Sequence, residues 1–340
     1  MDKISIIGAG KISIIGAGAW GTALAQVLTA AGNAVTLYMR EPDLARTLNT
    51  RHENSVYLSG IPLNPAIAAT ADIAAAVDGA DMVLLATPTQ FARAAMASLK
   101  PHLPQGAALV NCAKGIEIKT GKLLSEAAAE TLPDHPYAVL SGPTFAHEVA
   151  RGLPAAVTFA TTAPAQQAER WAQMLSGKTF RPYLSSDVVG AEIAGAVKNV
   201  IAIACGIVEG KQLGLNARAA VMTRGIAEIK RLGLKHGADA ETFLGLSGLG
   251  DLALTCNAMA SRNFSLGFAL GEGKKLADIL ARRSSVAEGV TTAQAIAVNA
   301  GAMGVEMPIC AAVDRILHHA ADIDQVIAGL MGRDLKAENI

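Results

Sequence analysis

The feature that most constrains this chain is a glycine-rich turn placed between an apolar run and a helical pattern. Ile12–Ile15 leads into Gly16-Ala17-Gly18-Ala19-Trp20-Gly21, and a helix-forming run follows. This order of strand, glycine turn and helix is the fingerprint of a dinucleotide site. The first glycine permits a tight turn, the second lets backbone approach a pyrophosphate, and the third lets the helix pack on the strand. The amides at the helix start are then available to the phosphates.

An octapeptide repeat complicates the register of this turn. KISIIGAG occupies residues 3–10 and again residues 11–18. In the first copy the third glycine position falls on Ser13, and in the second it falls on Gly21, before the helix-forming run. We therefore predict that the second copy forms the strand and turn. Residues 1–10 are interpreted as a duplicated N-terminal extension, with Gly8 and Gly10 outside the binding site.

Composition excludes several classes of protein. Hydrophobic residues make up 51% and charged residues 17%, which is typical of a globular protein and not of a disordered one. Lys plus Arg and Asp plus Glu are equal at 29 each, so no charge excess favours nucleic acid or an acidic membrane. The four cysteines lack paired spacing, which indicates reduced thiols. We expect a cytoplasmic protein with no membrane span, and the spacing of its histidines predicts no metal site.

The chain changes character near residue 187. Before it, short β-rich runs alternate with helical ones, which indicates stacked βαβ units and a mostly parallel sheet. After it, almost every stretch is helical. We predict an α/β Rossmann-type domain with a mostly parallel sheet at 11–187, followed by an all-α domain at 188–340. Strands are predicted at 12–15, 34–39, 82–86, 108–111, 137–140, 155–159 and 179–183.

The residue that follows the second predicted strand bears on the adenosine end of the dinucleotide. This position usually carries a carboxylate in NAD sites, whereas an Arg accommodates the 2′-phosphate of NADP. Arg40 stands here, which favours NADP. The alternative is an exposed Arg40 beside a Glu41 that binds the ribose.

Three further groups of polar residues carry potential chemistry. Lys114 follows one predicted strand, and the run Ser141-Gly142-Pro143-Thr144 follows another. Carboxyl ends of parallel strands are where functional loops gather. In the helical region, Lys198 interrupts an otherwise apolar run from 188 to 209, where a charge is costly.

At this point the residues carry a resemblance. GAGAWGTALA, CAKGIE, SGPTFAHEVA, GAVKNVIAIACG, GLGDLALTC, SRN and VAEG occur in this order. Together they resemble the bacterial NAD(P)-dependent sn-glycerol-3-phosphate dehydrogenase family, from Lys11 to the terminal GRDLKAE. The resemblance implies NAD(P)H-dependent reduction of dihydroxyacetone phosphate to sn-glycerol 3-phosphate, for phospholipid synthesis. It also implies a Rossmann domain followed by a helical substrate domain, and a homodimer is possible.

Carried over residue by residue, the resemblance assigns three kinds of site. It implies catalytic roles for Lys198 as acid/base, supported by Lys114 and Asp251. The implied substrate-binding residues are Lys114, Gly142, Thr144, Lys198, Asn199, Asp251, Thr255, Ser261, Arg262 and Asn263. The implied cofactor-binding residues are Gly16, Gly18, Ala19, Trp20, Gly21, Arg40, Lys114, Ala146, Arg262, Val286 and Glu288. Ala19 stands where many relatives have Ser or Thr, so one side-chain bond to the pyrophosphate would be missing.

Physical chemistry supports a catalytic Lys198, because a ketone that receives a hydride also needs a proton on its oxygen. A free lysine titrates near 10.4, but an apolar surrounding and a second cation such as Lys114 would lower its pKa.

Structural alternatives remain open for each group. In the structural alternative to catalysis, Lys198 extends its charged end to solvent and Asp251 caps a helix. In the structural alternative to ligand binding, Ser261–Asn263 is a capping cluster and Glu288 marks a helix terminus.

Two other functions compete with this interpretation. A β-hydroxyacid or ketopantoate-type dehydrogenase has the same two-domain plan but acts on a carboxylate. The SRN cluster coupled to GLGDLALTC argues against it, because this set suits a phosphate. A dinucleotide-sensing protein without catalysis is the other, and the joint presence of Lys114, Lys198 and Asp251 argues against that.

Overall fold

The chain divides into two compact units, which we call the sheet unit and the helical unit. The computed structural model describes residues 9–282, 287–335 and 337–338. Residues up to 113 and 124–188 group in the sheet unit, and residues 114–123 with 189 onward group in the helical unit. The short segment 114–123 was expected in the first domain. It groups with the helices because Asn199 donates to the Lys114 carbonyl at 3.1 Å and Asn299 to the Gly121 carbonyl at 2.9 Å.

The sheet unit is built on one eight-stranded sheet. The strands run in the order β3-β2-β1-β4-β5-β6-β7-β8, and only the β6–β7 pair is antiparallel. Their bounds are β1 Lys11–Ile15, β2 Ala34–Tyr38, β3 Ala68–Thr70, β4 Met82–Leu85, β5 Ala108–Asn111, β6 Tyr137–Ser141, β7 Ala155–Thr161 and β8 Phe180–Ser185. The first six strands thus have the order 3-2-1-4-5-6 of the dinucleotide-binding fold, which confirms the Rossmann-type domain that the sequence predicts.

Helices cover this sheet, and the interior strand β4 is continuously apolar. Every residue of β4 is buried, as expected for a parallel strand with packing on both faces. The helices are α1 Ala19–Ala30, α2 Pro42–Arg51, α3 Ile73–Val77, α4 Thr89–Leu99, α5 Leu124–Thr131, α6 Ala146–Ala150 and α7 Ala165–Leu175. The seven strands predicted from the sequence are confirmed within two residues at each end, whereas β3 was missed.

The second KISIIGAG copy forms β1 and leads directly into the glycine turn. β1 lies between β2 and β4 in the interior of the sheet. Residues 1–8 of the first copy lie outside the described residues. Gly10 accepts a hydrogen bond from Ala34 N at 3.0 Å, at the amino end of the sheet and remote from the turn along β1.

The helical unit is organised around one long apolar helix. Its helices are α8 Val188–Gly210, α9 Gly214–Lys235, α10 Asp251–Cys256, α11 Arg262–Gly271, α12 Leu276–Ala281, α13 Glu288–Met303, α14 Pro308–His318 and α15 Ile323–Met331. A 3-10 turn at Ala240–Leu244 and a π-helical turn at Leu246–Gly250 lead into α10. α8 is long and apolar enough to cross a membrane, but its whole apolar window is buried inside this unit.

Glycines let α8 and α11 approach each other very closely. A Cβ atom on Gly206 of α8 would lie 2.0 Å from the Phe264 carbonyl oxygen, and one on Gly267 of α11 would lie 2.0 Å from the Ile203 carbonyl oxygen. Any larger residue at either position would collide with backbone. This close approach holds the start of α11 beside the middle of α8, where Lys198 and Asn199 lie.

Candidate active site

The glycine turn joins β1 to α1 at the carboxyl edge of the sheet. Gly16 has φ +115°, a conformation that residues with a side chain rarely adopt. Its N–H donates to the Tyr38 carbonyl at 3.1 Å, and a Cβ would lie 2.9 Å from the Ala86 carbonyl oxygen. Strands β1 and β4 are neighbours, but the chain leads from β1 to β2 on one side of this pair and from β4 to β5 on the other, so the turn lies at the switch point of the sheet.

The other two glycines of the turn serve different purposes. A Cβ on Gly21 would lie only 1.9 Å from the Gly16 carbonyl oxygen, so this glycine lets α1 pack on the turn. A Cβ on Gly18 would meet nothing within 4 Å. Gly18 has φ −63° and ψ 177° and precedes α1, whose first turn receives no side-chain cap. Uncapped amides at the start of a helix are where proteins commonly bind phosphate groups.

The remaining predicted residues near this turn take different positions. Ala19 and Trp20 begin α1, and both pack partly buried against the core of the sheet unit. Arg40 follows β2 and its side chain is 80% exposed, with Nη2 3.8 Å from Glu41 Oε1. Both candidates for the adenosine end are therefore adjacent to each other at the same edge.

The SGPTFA motif follows β6 as expected. A Cβ on Gly142 would lie 2.9 Å from Val157 Cα, so this glycine allows close packing on β7. Thr144 donates to the Gly142 carbonyl at 3.2 Å, which closes the turn on itself. Ala146 begins α6 and packs against the sheet core.

The helical unit brings two lysines onto one buried carboxylate. Lys198 Nζ lies 2.6 Å from Asp251 Oδ1 and 2.8 Å from Thr255 Oγ1. Lys114 Nζ lies 2.7 Å from the other oxygen, Asp251 Oδ2. The side chains of Lys198 and Asp251 are 7% and 1% exposed, so Lys198 does not extend its charge to solvent. Asp251 begins α10 but makes no capping bond, because both of its oxygens face lysines.

Burial changes the acid–base behaviour of Lys198. Desolvation is the largest influence and Lys114 adds repulsion, while Asp251 opposes both; together they lower the pKa of Lys198 from 10.5 to about 8. This confirms the direction expected from the sequence. A lysine with this pKa exchanges its proton near neutral pH, which suits a general acid or base.

A chain of side-chain amides fixes the surroundings of Lys198. Asn199 donates to the Lys114 carbonyl at 3.1 Å and accepts from Asn263 Nδ2 at 2.9 Å. Asn263 Oδ1 in turn accepts from Gly289 N at 3.0 Å. Four segments of the helical unit are therefore tied together within a few residues of the buried lysine.

The SRN motif lies at the start of α11, next to this chain of amides. Ser261 is the N-cap, and its Oγ accepts from Phe264 N at 3.2 Å. Asn263 is buried and engaged with Asn199 and Gly289, whereas Arg262 is exposed. The structural alternative, in which this motif caps a helix, is therefore correct for Ser261. The side-chain amide of Asn263 instead makes hydrogen bonds inside the helical unit.

The last two predicted cofactor residues lie at the start of α13. Glu288 is its first residue, and Oε2 accepts from Lys114 N at 3.3 Å. Glu288 therefore does mark a helix terminus, as in the structural alternative. Its carboxylate also accepts a hydrogen bond from the backbone of Lys114. Val286 lies outside the described residues.

Comparison with known proteins identifies the family. The profile described as the N-terminus of NAD-dependent glycerol-3-phosphate dehydrogenase matches residues 11–167, and the C-terminal profile matches residues 187–328. A glycerol-3-phosphate dehydrogenase (NAD(P)+) from Rhodospirillum rubrum is 54% identical over 99% of this chain and 94% of that protein. The chain belongs to the NAD-dependent glycerol-3-phosphate dehydrogenase family.

Solved structures agree with this assignment. The crystal structure of glycerol-3-phosphate dehydrogenase from Coxiella burnetii has a TM-score of 0.91 and 38% identity, covering 96% of this chain and 99% of that one. The curated relative from Caulobacter vibrioides is 54% identical over 99% of both chains. The resemblance drawn from seven short motifs therefore extends to the whole chain and to the fold of the dehydrogenase family.

Sequence reasoning missed one polar residue beside the glycine turn of this dehydrogenase. Asn54 is fully buried, and its Nδ2 donates to the Ala17 carbonyl at 2.9 Å and to Thr22 Oγ1 at 2.8 Å. Nothing in the spacing of Asn54 indicates this contact, because it lies 37 residues from Ala17. The available signal was an amide side chain in a stretch otherwise rich in turn residues.

Proposed function

We propose that this chain catalyses the reversible NAD(P)H-dependent reduction of dihydroxyacetone phosphate to sn-glycerol 3-phosphate. The observation that carries the proposal is the buried Lys198, held between Asp251 and Thr255 with its pKa lowered to about 8. Such a group can give a proton to a ketone oxygen and recover it from solvent. The substrate is inferred from membership of the family. The proton transfer that its ketone oxygen requires is assigned to Lys198.

The proton is held at Lys198 Nζ. An ammonium has three N–H donors, and the contacts with Asp251 Oδ1 and Thr255 Oγ1 use two of them. Thr255 accepts from the lysine because its own hydroxyl donates to the Asp251 carbonyl at 2.6 Å. One N–H therefore remains for the substrate oxygen. In the reverse direction the neutral amine accepts the proton of the alcohol.

Asp251 orients the lysine without carrying the proton itself. Its second oxygen receives Lys114 at 2.7 Å, so the three groups together carry one net positive charge when Lys198 is protonated. This charge favours an anionic substrate in a buried setting. Lys114 also keeps Lys198 acidic enough to release its proton, since repulsion between the two lysines lowers the pKa of Lys198.

The phosphate requires donors and positive charge. We assign it to the start of α11, where the N-cap Ser261 and the first helical residue, Arg262, directly precede Asn263 and the backbone amides of the first turn. The substrate-binding set proposed here also includes Lys114, Gly142, Thr144, Asn199 and Thr255. Asn199 and Asn263 hold this set in place through the hydrogen bond between them.

The glycine turn is the proposed pyrophosphate site. Gly16, Gly18 and Gly21 leave space and orphan amides for it, Ala19 and Trp20 contribute the first amides of α1, and the bound cofactor supplies the hydride. Exposed Arg40 suits a 2′-phosphate, so NADP is favoured over NAD. Ala146, Lys114, Arg262, Val286 and Glu288 complete the proposed cofactor set.

The cellular role follows from the product. sn-Glycerol 3-phosphate is the head-group precursor of glycerophospholipids, so we propose a role in phospholipid synthesis in the cytoplasm. A homodimer is also proposed, and sedimentation equilibrium would test it. An observed monomer at all concentrations would contradict that part.

Steady-state kinetics test the substrate assignment. Oxidation of NADPH and NADH is followed with dihydroxyacetone phosphate and, in parallel, with a set of 2-keto acids. We expect turnover with dihydroxyacetone phosphate. Turnover with the keto acids alone would contradict the proposal and favour a hydroxyacid or ketopantoate-type enzyme. A Lys198→Ala variant with full activity would instead favour a dinucleotide-sensing protein.

The cofactor preference is tested separately with Arg40→Ala. The variant should raise the KM for NADPH much more than that for NADH, because only NADPH has a 2′-phosphate to lose a partner. Arg46→Ala is the matched control, since Arg46 is also exposed and pairs with a nearby acid, Asp43. If Arg40→Ala keeps the same preference for NADPH over NADH, Arg40 does not bind the 2′-phosphate.

A further inference from the structure

We propose that Asn54 is a positioning residue for the cofactor pyrophosphate, acting through the peptide bond between Ala17 and Gly18. This inference rests on the proposed cofactor site at the glycine turn. Asn54 does not itself contact the proposed ligand. Its side chain donates a hydrogen bond to the Ala17 carbonyl. The N–H of the same peptide unit belongs to Gly18 and borders the open space there.

Three hydrogen bonds fix the Asn54 side chain completely. Nδ2 donates to the Ala17 carbonyl at 2.9 Å and to Thr22 Oγ1 at 2.8 Å, and Oδ1 accepts from Tyr57 N at 3.1 Å. Thr22 also donates to the Ala17 carbonyl, at 3.3 Å. Asn54 and Thr22 are both 0% exposed, so the Ala17 carbonyl is bound on the interior side of the turn.

The geometry of the peptide bond transmits this constraint. In a trans peptide the C=O and the following N–H point in opposite directions, and the described residues contain no cis peptide bond. Holding the Ala17 carbonyl inward therefore directs the Gly18 N–H away from Asn54 and Thr22. That N–H borders the position where a Cβ on Gly18 would meet nothing within 4 Å.

The loop that carries Asn54 is itself anchored. Residues 52–63, the Asn54 loop, begin and end together, because Leu63 N donates to the His52 carbonyl at 2.8 Å. Leu58 N donates to the Asn54 carbonyl at 2.9 Å, and Leu58, Ile61 and Leu63 are buried. Asn54 is thus a rigid support for the turn, and the turn needs no rearrangement when it receives a phosphate.

Replacing Asn54 should weaken cofactor binding and leave catalysis intact. Asn54→Leu keeps the approximate size of the side chain and removes its amide. We expect the dissociation constants of NADPH, NADH and ADP-ribose, measured by calorimetry, to rise together by about tenfold, as for one misdirected hydrogen bond to a charged group. The kcat at saturating cofactor and the KM for dihydroxyacetone phosphate should stay unchanged.

The matched control is Asn33→Leu. Asn33 is also buried and makes the same pattern of bonds, with Nδ2 donating to the Leu28 and Met174 carbonyls at 2.9 and 2.8 Å and Oδ1 accepting from Gly10 N at 3.1 Å. It lies at the amino end of the sheet. If Asn33→Leu weakens cofactor binding as much as Asn54→Leu, the effect is general destabilisation and the inference is wrong.

A second variant covers the case in which Asn54→Leu does not fold. Thr22→Val is nearly isosteric and removes one bond to Asn54 and one to the Ala17 carbonyl. It should raise the same dissociation constants by about threefold, because the Asn54 bond to Ala17 remains. Unchanged binding in Thr22→Val, when Asn54→Leu is unfolded, would overturn the inference.

Gly18→Ala separates this inference from the assignment of the site. Its Cβ meets nothing in the protein, so the fold should be unaffected, but it would enter the space proposed for the pyrophosphate. If Gly18→Ala leaves cofactor binding unchanged, the site itself is misplaced. If Gly18→Ala weakens binding and Asn54→Leu does not, only the role of Asn54 is wrong.

Discussion

The sheet unit and the helical unit build their candidate sites from different chemical groups. In the sheet unit the turn at Gly16, Gly18 and Gly21 offers backbone amides, and its specificity comes from the space left by absent side chains. In the helical unit the site consists of charged side chains, with Asp251 placed between Lys114 and Lys198. The first arrangement is suited to holding a ligand, whereas the second can change its protonation state.

The two sites also differ in how much they reduce the stability of the folded protein. Backbone amides at a helix start are orphaned in any helix, so a turn that exposes them adds little instability. Burying two lysines and a carboxylate has a desolvation cost that their mutual attraction offsets only in part. Substitutions at the buried charges of the helical unit should therefore affect stability and chemistry together, whereas a substitution at Gly18, where a Cβ meets nothing, should affect binding alone.

The largest expected effect is that of Lys198→Met on turnover. Removing the proton donor should lower kcat by about a thousandfold, with unchanged calorimetric affinity for NADPH. Lys211→Met is the control, because Lys211 pairs with Asp324 at the surface of the same unit. A kcat within a few fold of wild type would show that the proton comes from elsewhere.

The stability of the same variant relative to the wild type should depend on pH. The pKa of Lys198 in the folded protein, about 8, is below its ordinary value of 10.5, so folding disfavours the charged form. The stability of Lys198→Met relative to the wild type should therefore be highest below pH 8 and fall as the pH rises towards 10.5. Denaturant titrations at several pH values would measure it, and a stability difference that is the same at pH 7 and pH 10.5 would contradict this account.

Asp251→Asn should have the largest effect on stability. Lys114 and Lys198 would face each other without their shared carboxylate, which should cost about 3–5 kcal/mol of unfolding free energy. Losing Asp251 also lowers the pKa of Lys198 further, so activity in the reductive direction should peak at a lower pH. Urea denaturation would measure the first effect, and unchanged stability would mean that the cluster is solvated.

Some of this site could be predicted from sequence and some could not. The glycine turn was recognised because its conformational requirement lies within six consecutive residues, and Lys198 was recognised because it interrupts an apolar helix. The pairing of Lys198 with Asp251 spans 53 residues and that of Lys114 spans 137, so only the motifs of the family indicated them. Asn54 belongs to none of the quoted family motifs, and an amide in a turn-rich stretch does not indicate which distant residues it contacts.

The fold shows the same limit. Strands with regular apolar patterns were predicted within two residues at each end, and the region after residue 187 was predicted to be helical. The strand β3 has only the sequence AAT, so it was missed. The assignment of 114–123 to the helical unit depends on hydrogen bonds from Asn199 and Asn299, which no local pattern indicates.

Gly206→Ala should distinguish packing glycines from binding glycines. Its Cβ would lie 2.0 Å from the Phe264 carbonyl oxygen, so α8 and α11 must move apart. We expect a loss of about 1–3 kcal/mol in unfolding free energy. Gly18→Ala, which has open space, should unfold like the wild type in the same urea titration. Equal losses in both variants would remove the distinction between the two units.

The smallest expected effect is the shift of the pH profile in Lys114→Gln, measured at saturating substrate and cofactor because Lys114 also belongs to both proposed binding sets. Removing this cation relieves the repulsion that lowers the pKa of Lys198, so that pKa should rise. The alkaline limb of the reductive rate should move to higher pH. Lys122→Gln is the control, since it changes a lysine of the same segment. A shift to lower pH would contradict the electrostatic role of Lys114.

The pH dependence of kcat in both directions tests the central claim most directly, that the buried Lys198 of the helical unit is the acid and base of the reaction. It is measured on the wild type at saturating substrates over roughly pH 6 to 11.5. Reduction of dihydroxyacetone phosphate should fall as the pH rises through about 8, and oxidation of sn-glycerol 3-phosphate should rise through the same value. Midpoints at the ordinary lysine value of 10.5, or the same direction of change in both reactions, would contradict it.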